Sequence, residues 1–226
     1  MQKAADGAKR VNLIMIGPPG AGKGTQAERI AHERGVPKIS TGDILREAIQ
    51  EGTPLGLRAK AIVERGDLVS DDVMIGVVGE RLQRPDTRRG FVLDGFPRTV
   101  PQAEALDEML DGRGPLIVIE MVVPPAELDK RMTSRRVCRN CGANAEPADT
   151  KCTRCGGEIV ARADDGQAAV RTRRQGVYAK QTKPILDYYR ARPTFRTING
   201  AKSPDRVSDA LTAAIDSALE TASPSR

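Results

Sequence analysis

The stretch Gly17-Pro-Pro-Gly-Ala-Gly-Lys-Gly-Thr25 constrains this 226-residue chain more than any other. It follows an apolar run, Val11-Asn-Leu-Ile-Met-Ile16, and opens a helix-forming segment from Lys23 to Arg34. Strand, glycine-rich turn and helix in that order make an anion cradle. The glycines let backbone N–H groups close around phosphate oxygens, the helix N-terminus adds partial positive charge, and Lys23 supplies a full one. A bare structural turn has no need of the lysine. In one respect the stretch departs from the general pattern, which has Ser or Thr directly after the lysine. Here Gly24 intervenes before Thr25, so a direct bond from Thr25 to Mg²⁺ is not implied.

Downstream, short apolar runs alternate with longer helical patterns. Val36–Ile39, Phe91–Asp94, Leu116–Val122 and Phe195–Asn199 read as further strands. The last helix begins at Ser203-Pro204, an N-cap followed by proline at the first helical position. Nearly continuous apolar strands separated by helices indicate an α/β fold of P-loop NTPase type, a parallel five-stranded sheet covered on both faces. Two stretches break the rhythm. Thr41 to Gln83 is almost wholly helical, with breaks at Gly52-Thr-Pro54 and Gly66-Asp67, and Cys138 to Ile159 is poor in large apolar residues. Both read as insertions on the rim of the sheet. The head, Met1–Arg10, and the tail from Thr221 to Arg226 are expected to fray.

The net charge of +6 is concentrated between Lys130 and Arg174, where eleven Lys/Arg face five Asp/Glu. A local concentration of arginine suits a small polyanion at least as well as a long one. Aromatics make up 3% of the chain, thin provision for base stacking, so no nucleic-acid partner is expected. Met1–Arg10 lacks the apolar stretch of a secretory signal, and no run approaches the roughly 18 apolar residues of a membrane span. A soluble, cytoplasmic protein without a membrane partner is the expectation.

All four cysteines fall in two C-x₂-C knuckles, Cys138-Arg-Asn-Cys141 and Cys152-Thr-Arg-Cys155, ten residues apart. A disulfide scaffold would spread its cysteines, and a reducing compartment disfavours one. Four soft thiolates at this spacing suit tetrahedral Zn²⁺ in a closed, structural site. The spacing does not choose between zinc and iron.

Two further segments end at strands. Ser40-Thr-Gly-Asp-Ile-Leu-Arg46 follows the second, and Asp94-Gly-Phe-Pro-Arg98 follows the third, with Gln102 four residues on. Neighbouring parallel strands converge on one ligand crevice at their carboxyl ends. Thr41, Arg46, Arg98 and Gln102 can therefore face the phosphate loop across a gap suited to a second phosphorylated ligand. Transfer of a phosphoryl group between two such ligands needs alignment and positive charge, for which arginine forks are suited. No histidine chemistry competes: His32, the single histidine, falls in the first helix and reads as a surface residue. Tyr188-Tyr189 reads as helix packing, and Pro184 should bend the long helix before it.

With these segments together, and with Arg135-Arg-Val-Cys138 and Arg162-Ala-Asp-Asp165, the chain resembles the adenylate kinase family from about Val11 to the last helix. The resemblance implies reversible, Mg²⁺-dependent transfer of the terminal phosphoryl of ATP to AMP, giving two ADP, by a monomer. It implies a core formed by 11–39, 71–134 and 163–226, an AMP-binding insertion at 40–70, a zinc-binding lid at 135–162, and a disordered extension at 1–10. Gly20, Ala21, Gly22, Lys23, Gly24 and Thr25 would hold the ATP phosphates. Thr41, Arg46 and the backbone of Asp67, Leu68 and Val69 would hold AMP. Arg98, on the turn Gly95, Phe96, Pro97, would grip the AMP phosphate while Gln102 reads the adenine edge. Arg135, Arg162 and Arg173 would close over the transferring group, and Asp94 would orient Mg²⁺ through water. Lys202 falls where the family contacts the ATP base through backbone.

The lid departs from the family pattern. A hydroxyl residue and tyrosine are usual after the second cysteine, but Asn144 and Ala145 stand here and the loop is several residues shorter, which leaves the lid's contact with ATP open at this point. Arg131, Arg136, Arg139, Arg171 and Arg174 fit solvated helix faces as well as a site. Two other readings stand beside this one: a kinase for UMP or CMP, and a zinc-ribbon nucleic-acid-binding protein that takes ATP only as a ligand.

Overall fold

The computed structural model describes residues 10–146 and 148–222. The expected disorder of Met1–Arg10 falls outside the described residues except at Arg10, and so does the end of the tail beyond residue 222.

The sheet is parallel and five-stranded, in the order β2-β3-β1-β4-β8. Its strands are β1 (Val11–Ile16), β2 (Lys38–Ser40), β3 (Gly90–Asp94), β4 (Leu116–Val122) and β8 (Phe195–Asn199). The second strand begins two residues later than Val36, because Pro37 precedes it and its carbonyl accepts the Val92 N–H at 2.9 Å.

Both faces of the sheet are buried, and the two-residue side-chain period divides them. Val11, Leu13 and Met15 pack with Ala27, Ile30, Leu211 and Ile215, under α1 (Lys23–Arg34) and α9 (Pro204–Thr221). Ile14, Ile16 and Leu93 pack on the other face with Val78, Leu106 and Tyr189. These belong to α4 (Asp71–Leu82), α5 (Val100–Met109) and α8 (Pro184–Tyr189). Tyr189 is fully buried with Arg192 over its ring, and Tyr188 bonds Asp107 at 2.8 Å, so the tyrosine pair is packing.

Between β2 and α4 stand α2 (Thr41–Glu51) and α3 (Pro54–Arg65), with left-handed glycine C-caps at Gly52 and Gly66. The breaks fall where the glycines predicted them. Gly66 also lets this insertion dock: a Cβ there would lie 2.8 Å from Arg174 Cγ and 3.2 Å from Val170 Cγ1, both on α7 (Ala168–Val177).

After α6 (Pro125–Ser134), the cysteine segment forms a small antiparallel sheet, β6-β5-β7. Its strands are β5 (Arg136–Cys138), β6 (Asn144–Ala145) and β7 (Ile159–Ala161). Its apolar centre is Cys138, Cys152 and Ile159, with Cys141, Ala143 and Ala145 against it. A core that small needs another source of order.

The long helix that Pro184 was expected to bend is broken just before it. Residues Tyr178–Thr182 form a π-turn, closed by Lys183 N–H to Tyr178 O at 2.8 Å. A π-turn holds one more residue than an α-turn, so it shifts the phase of α8 relative to α7.

Candidate active site

Everything converges above the carboxyl ends of β1, β2 and β3. The β1–α1 loop takes its shape from Gly20 and Gly22, at φ 85° and 91°, values that L side chains rarely adopt. Gly20 also lies against α6, where a Cβ would stand 2.8 Å from Leu128 O. Lys23 Nζ donates to Gly17 O at 2.7 Å and Pro18 O at 3.0 Å, so the ammonium is drawn across its own loop. Burial lowers its pKa from 10.5 to about 8; Asp94 works against this, and Arg98, Arg135 and Arg174 add to it.

At the end of β3, Gly95 O is the fixed point. It accepts from Thr41 Oγ1 at 2.8 Å and from Arg98 Nε at 2.7 Å. Gly95 has φ 88°, and a Cβ would stand 2.8 Å from Thr41 Oγ1 and 2.9 Å from Arg98 Nη2. Thr41 and Arg98, both expected on the AMP side, are thus pinned to one carbonyl. Phe96, 1% exposed, anchors the turn in the core, and the Phe96–Pro97 peptide is cis.

Around this turn the cations crowd. Burial pushes Arg98 down to about 10, helped by Arg174 and opposed by Asp94. Burial and then Arg162 push Arg135 to about 10. Arg46 is lowered too, by burial and Arg162, although it pairs with Asp43. Carboxylates stand behind the arginines. Arg162 grips Asp164 at 2.6 Å, and Arg135 grips Asp165, 3% exposed, at 2.7 Å. Burial opposes ionisation of Asp164, but Arg162, Arg174 and Arg46 overcome it and hold the carboxyl well below its usual range. Like charges held together in low dielectric form a seat for a polyanion.

Not every expected residue faces this seat. Arg173 points outward and pairs with Asp67, its Nε 2.5 Å from Oδ1 and its Nη2 2.9 Å from Oδ2. Arg174 takes the inward place, bonded to Asp165 and to Asp164 O and felt electrostatically by Lys23 and Arg98. Arg131 also turns inward, donating to Gly200 O at 2.8 Å beside Gly22. Arg139 and Arg171 serve the periphery, paired with Glu158 and Asp129.

Gln102 is 1% exposed, and its amide bridges Arg98 N–H and Asp71 at 2.8 Å each. It braces the Arg98 turn as well as lying near it. Val69 is buried, Leu68 and Asp67 are half-buried, and Lys202 is exposed on the loop after β8. His32 is exposed, as expected. Asp94 lies beside Gly24: a Cβ there would be 3.1 Å from Asp94 Oδ2 and 3.5 Å from Asn144 Nδ2. Asn144 therefore hangs directly over the phosphate loop.

The four cysteines meet. Their sulfurs all lie within 4.8 Å of one another, with Cys138–Cys155 at 3.5 Å and Cys141–Cys152 at 3.6 Å. Tetrahedral Zn–S bonds of about 2.3 Å put sulfurs about 3.8 Å apart, so the set fits the ion. The two knuckles close alike, through Gly142 N–H to Cys138 O at 3.0 Å and Gly156 N–H to Cys152 O at 2.8 Å. Backbone N–H groups of Cys141 and Asn140 hold the Cys138 thiol down to about 6, towards thiolate.

Known proteins are similar to this chain over most of its length. The sequence profile of the adenylate kinase family matches residues 15–194. An adenylate kinase of Archaeoglobus fulgidus is 54% identical over 200 residues, 85% of this chain and 92% of that one. One from Syntrophobacter fumaroxidans is 50% identical over 211 residues, covering 90% and 99%, and one from Methanocella arvoryzae 47% over 213, covering 91% and 98%. With the phosphate loop and the arginine-lined crevice on a five-stranded parallel sheet, and the four-cysteine cluster on a small antiparallel sheet of its own, the chain belongs to the adenylate kinase family.

Proposed function

We propose that this chain transfers the terminal phosphoryl group of ATP to AMP, reversibly, giving two ADP. The observation that carries the reading is the crowd of cations between two cradles: Lys23 on the β1–α1 loop and Arg98 on the β3 turn share one electrostatic seat. ATP phosphates bind along Gly20 to Thr25 and Lys23. AMP binds over Thr41, Arg46, Arg98 and the backbone from Asp67 to Val69, under the insertion at 40–70. Arg135, Arg162 and Arg174 lie over the group in transit, and their planar forks neutralise its equatorial oxygens. There is little covalent work to do. Alignment and preorganised charge supply the rate.

The division of the chain follows from this. Residues 11–39, 71–134 and 163–226 are the rigid core, 40–70 covers AMP, and 135–162 is the lid over ATP, with Asn144 reaching the phosphate loop. Closing both covers excludes water, which would otherwise compete as acceptor. Mg²⁺ accompanying ATP would offset phosphate charge, and Asp94, beside Gly24, is the carboxylate that would hold it, through water. Cys138, Cys141, Cys152 and Cys155 would hold a structural zinc that keeps the lid in shape. No helix among the described residues is long and apolar enough to cross a membrane.

Arginine placement has a measurable consequence. Arg174→Ala lowers kcat about 10²-fold, as loss of one preorganised donor does, whereas Arg173→Ala has a much smaller effect. Steady-state kinetics of both variants decide it; equal losses contradict the assignment. The reaction itself is tested by an acceptor panel. ATP with AMP, UMP or CMP is expected to give ADP fastest with AMP, and no ADP from ATP and AMP would end the reading.

A further inference from the structure

One buried side chain of α1 has no part in the reaction as described so far. Gln26 directly follows the phosphate loop and is 3% exposed, in a helix face shared with the core residues Ala27 and Ile30. Its Nε2 donates to Pro204 O at 2.8 Å, across 178 residues of sequence. Its Oε1 is buried and has no hydrogen-bond partner among the described residues. An orphaned buried acceptor is destabilising, and a methionine or leucine would fill the same space without that cost. Packing therefore does not account for the amide. The single bond it makes does.

That bond reaches the first turn of α9, immediately after the loop 200–203. The rest of this loop is tied from the opposite side: Gly200 N–H donates to Val122 O at 2.8 Å, and Arg131 donates to Gly200 O at 2.8 Å. Ala201 N–H bonds Asn199 Oδ1 at 2.9 Å. One helical turn beyond Gln26, Arg29 pairs with Asp205 at 2.6 Å. So α1 grips the start of α9 at two successive levels, and the buried grip is Gln26.

We propose that Gln26 is a positioning residue for the nucleotide base of ATP. The proposal rests on the phosphotransfer reading and on the loop at Lys202 receiving that base. Lys23 and Gln26 lie three residues apart on one helix, about 4.5 Å along its axis. The helix that fixes the triphosphate thereby also fixes the loop that meets the base. Gln26 sets the distance between the two ends of the donor nucleotide and does not touch AMP.

The test is Gln26→Met, which keeps the volume and removes the donor, assayed in the full chain with ATP and AMP varied separately. Losing one net hydrogen bond is expected to raise KM for ATP about 3- to 10-fold and to leave KM for AMP unchanged. Inorganic tripolyphosphate, which has the phosphates but no base, is expected to bind wild type and variant equally by calorimetry. An unmoved KM for ATP overturns the proposal, and so does tripolyphosphate affinity falling in step with ATP. Gln26→Asn, which withdraws the amide by one methylene, is read in the same way if the methionine variant does not fold. Failure of the wild-type chain to form ADP would sink the reaction itself, so the two failures are separable.

Discussion

Lys23→Met is expected to lower kcat at least about 10³-fold while leaving the chain folded. The lysine is the one full positive charge inside the β1–α1 loop, and its ammonium already spans Gly17 O and Pro18 O, at 2.7 and 3.0 Å. Methionine keeps the length of the side chain and removes the charge that meets the phosphates. The loop's shape comes from Gly20 and Gly22, whose backbone conformations do not depend on residue 23. Steady-state kinetics with thermal unfolding on the same sample give the answer. Turnover surviving within tenfold, with the fold intact, removes Lys23 from the mechanism.

Its titration adds a second reading. Burial brings the free enzyme's Lys23 to about 8, from 10.5. The protonated form binds phosphate, so kcat/KM for ATP is expected to fall as pH rises through about 8, since that ratio reports the free enzyme. The effect on stability has the opposite sign. Between pH 8 and 10.5 the folded chain binds fewer protons at Lys23 than the unfolded chain, so this group's contribution to stability rises across that window. Below it the buried charge is a cost. Removing it in Lys23→Met should not lower the unfolding midpoint at neutral pH, and a large drop would point to a structural role for the side chain.

Cys152→Ser is expected to release the metal, unfold 135–162 locally, and cut turnover about 10²-fold or more. The segment's own apolar centre is three residues with small neighbours, far short of what an independent fold needs. A structural zinc supplies about 10–16 kcal/mol in small domains. Without it, Arg135 and Arg162 lose their fixed places beside Asp165 and Asp164, and charge that is not preorganised does little for the transition state. Elemental analysis of the wild type and hydrogen exchange of the variant check both halves. A wild-type preparation with no tightly bound metal, or a variant with protection undiminished over 135–162, refutes the account.

Much of this molecule is legible from local sequence because the determining physics is local. The loop Gly17 to Thr25, the helix breaks at Gly52 and Gly66, and the start of α9 each follow from a few adjacent residues. Two-sided apolar strands separated by helices leave few options besides a covered parallel sheet. The cysteine knuckles announce their convergence by spacing. Several side chains of the candidate site were not legible, and for a common reason: their positions depend on partners far away in sequence. Arg174 holds an inward position, bonded to Asp165, while Arg173, named by the resemblance, pairs with Asp67, 106 residues away. Gln102 is expected from the resemblance to read the adenine edge, and in the fold its amide also bonds Asp71, 31 residues away.

By itself, then, the sequence determined the elements, the anion cradle, the thiolate set and the chemistry to expect, since backbone conformation and ligand type are encoded within a few residues. Which arginine points inward, that Asn144 hangs over Gly24, and that α1 holds α9 through Gln26 were decided only when the chain closed on itself. Those arrangements are set by packing and by long-range hydrogen bonds, whose partners no local pattern names.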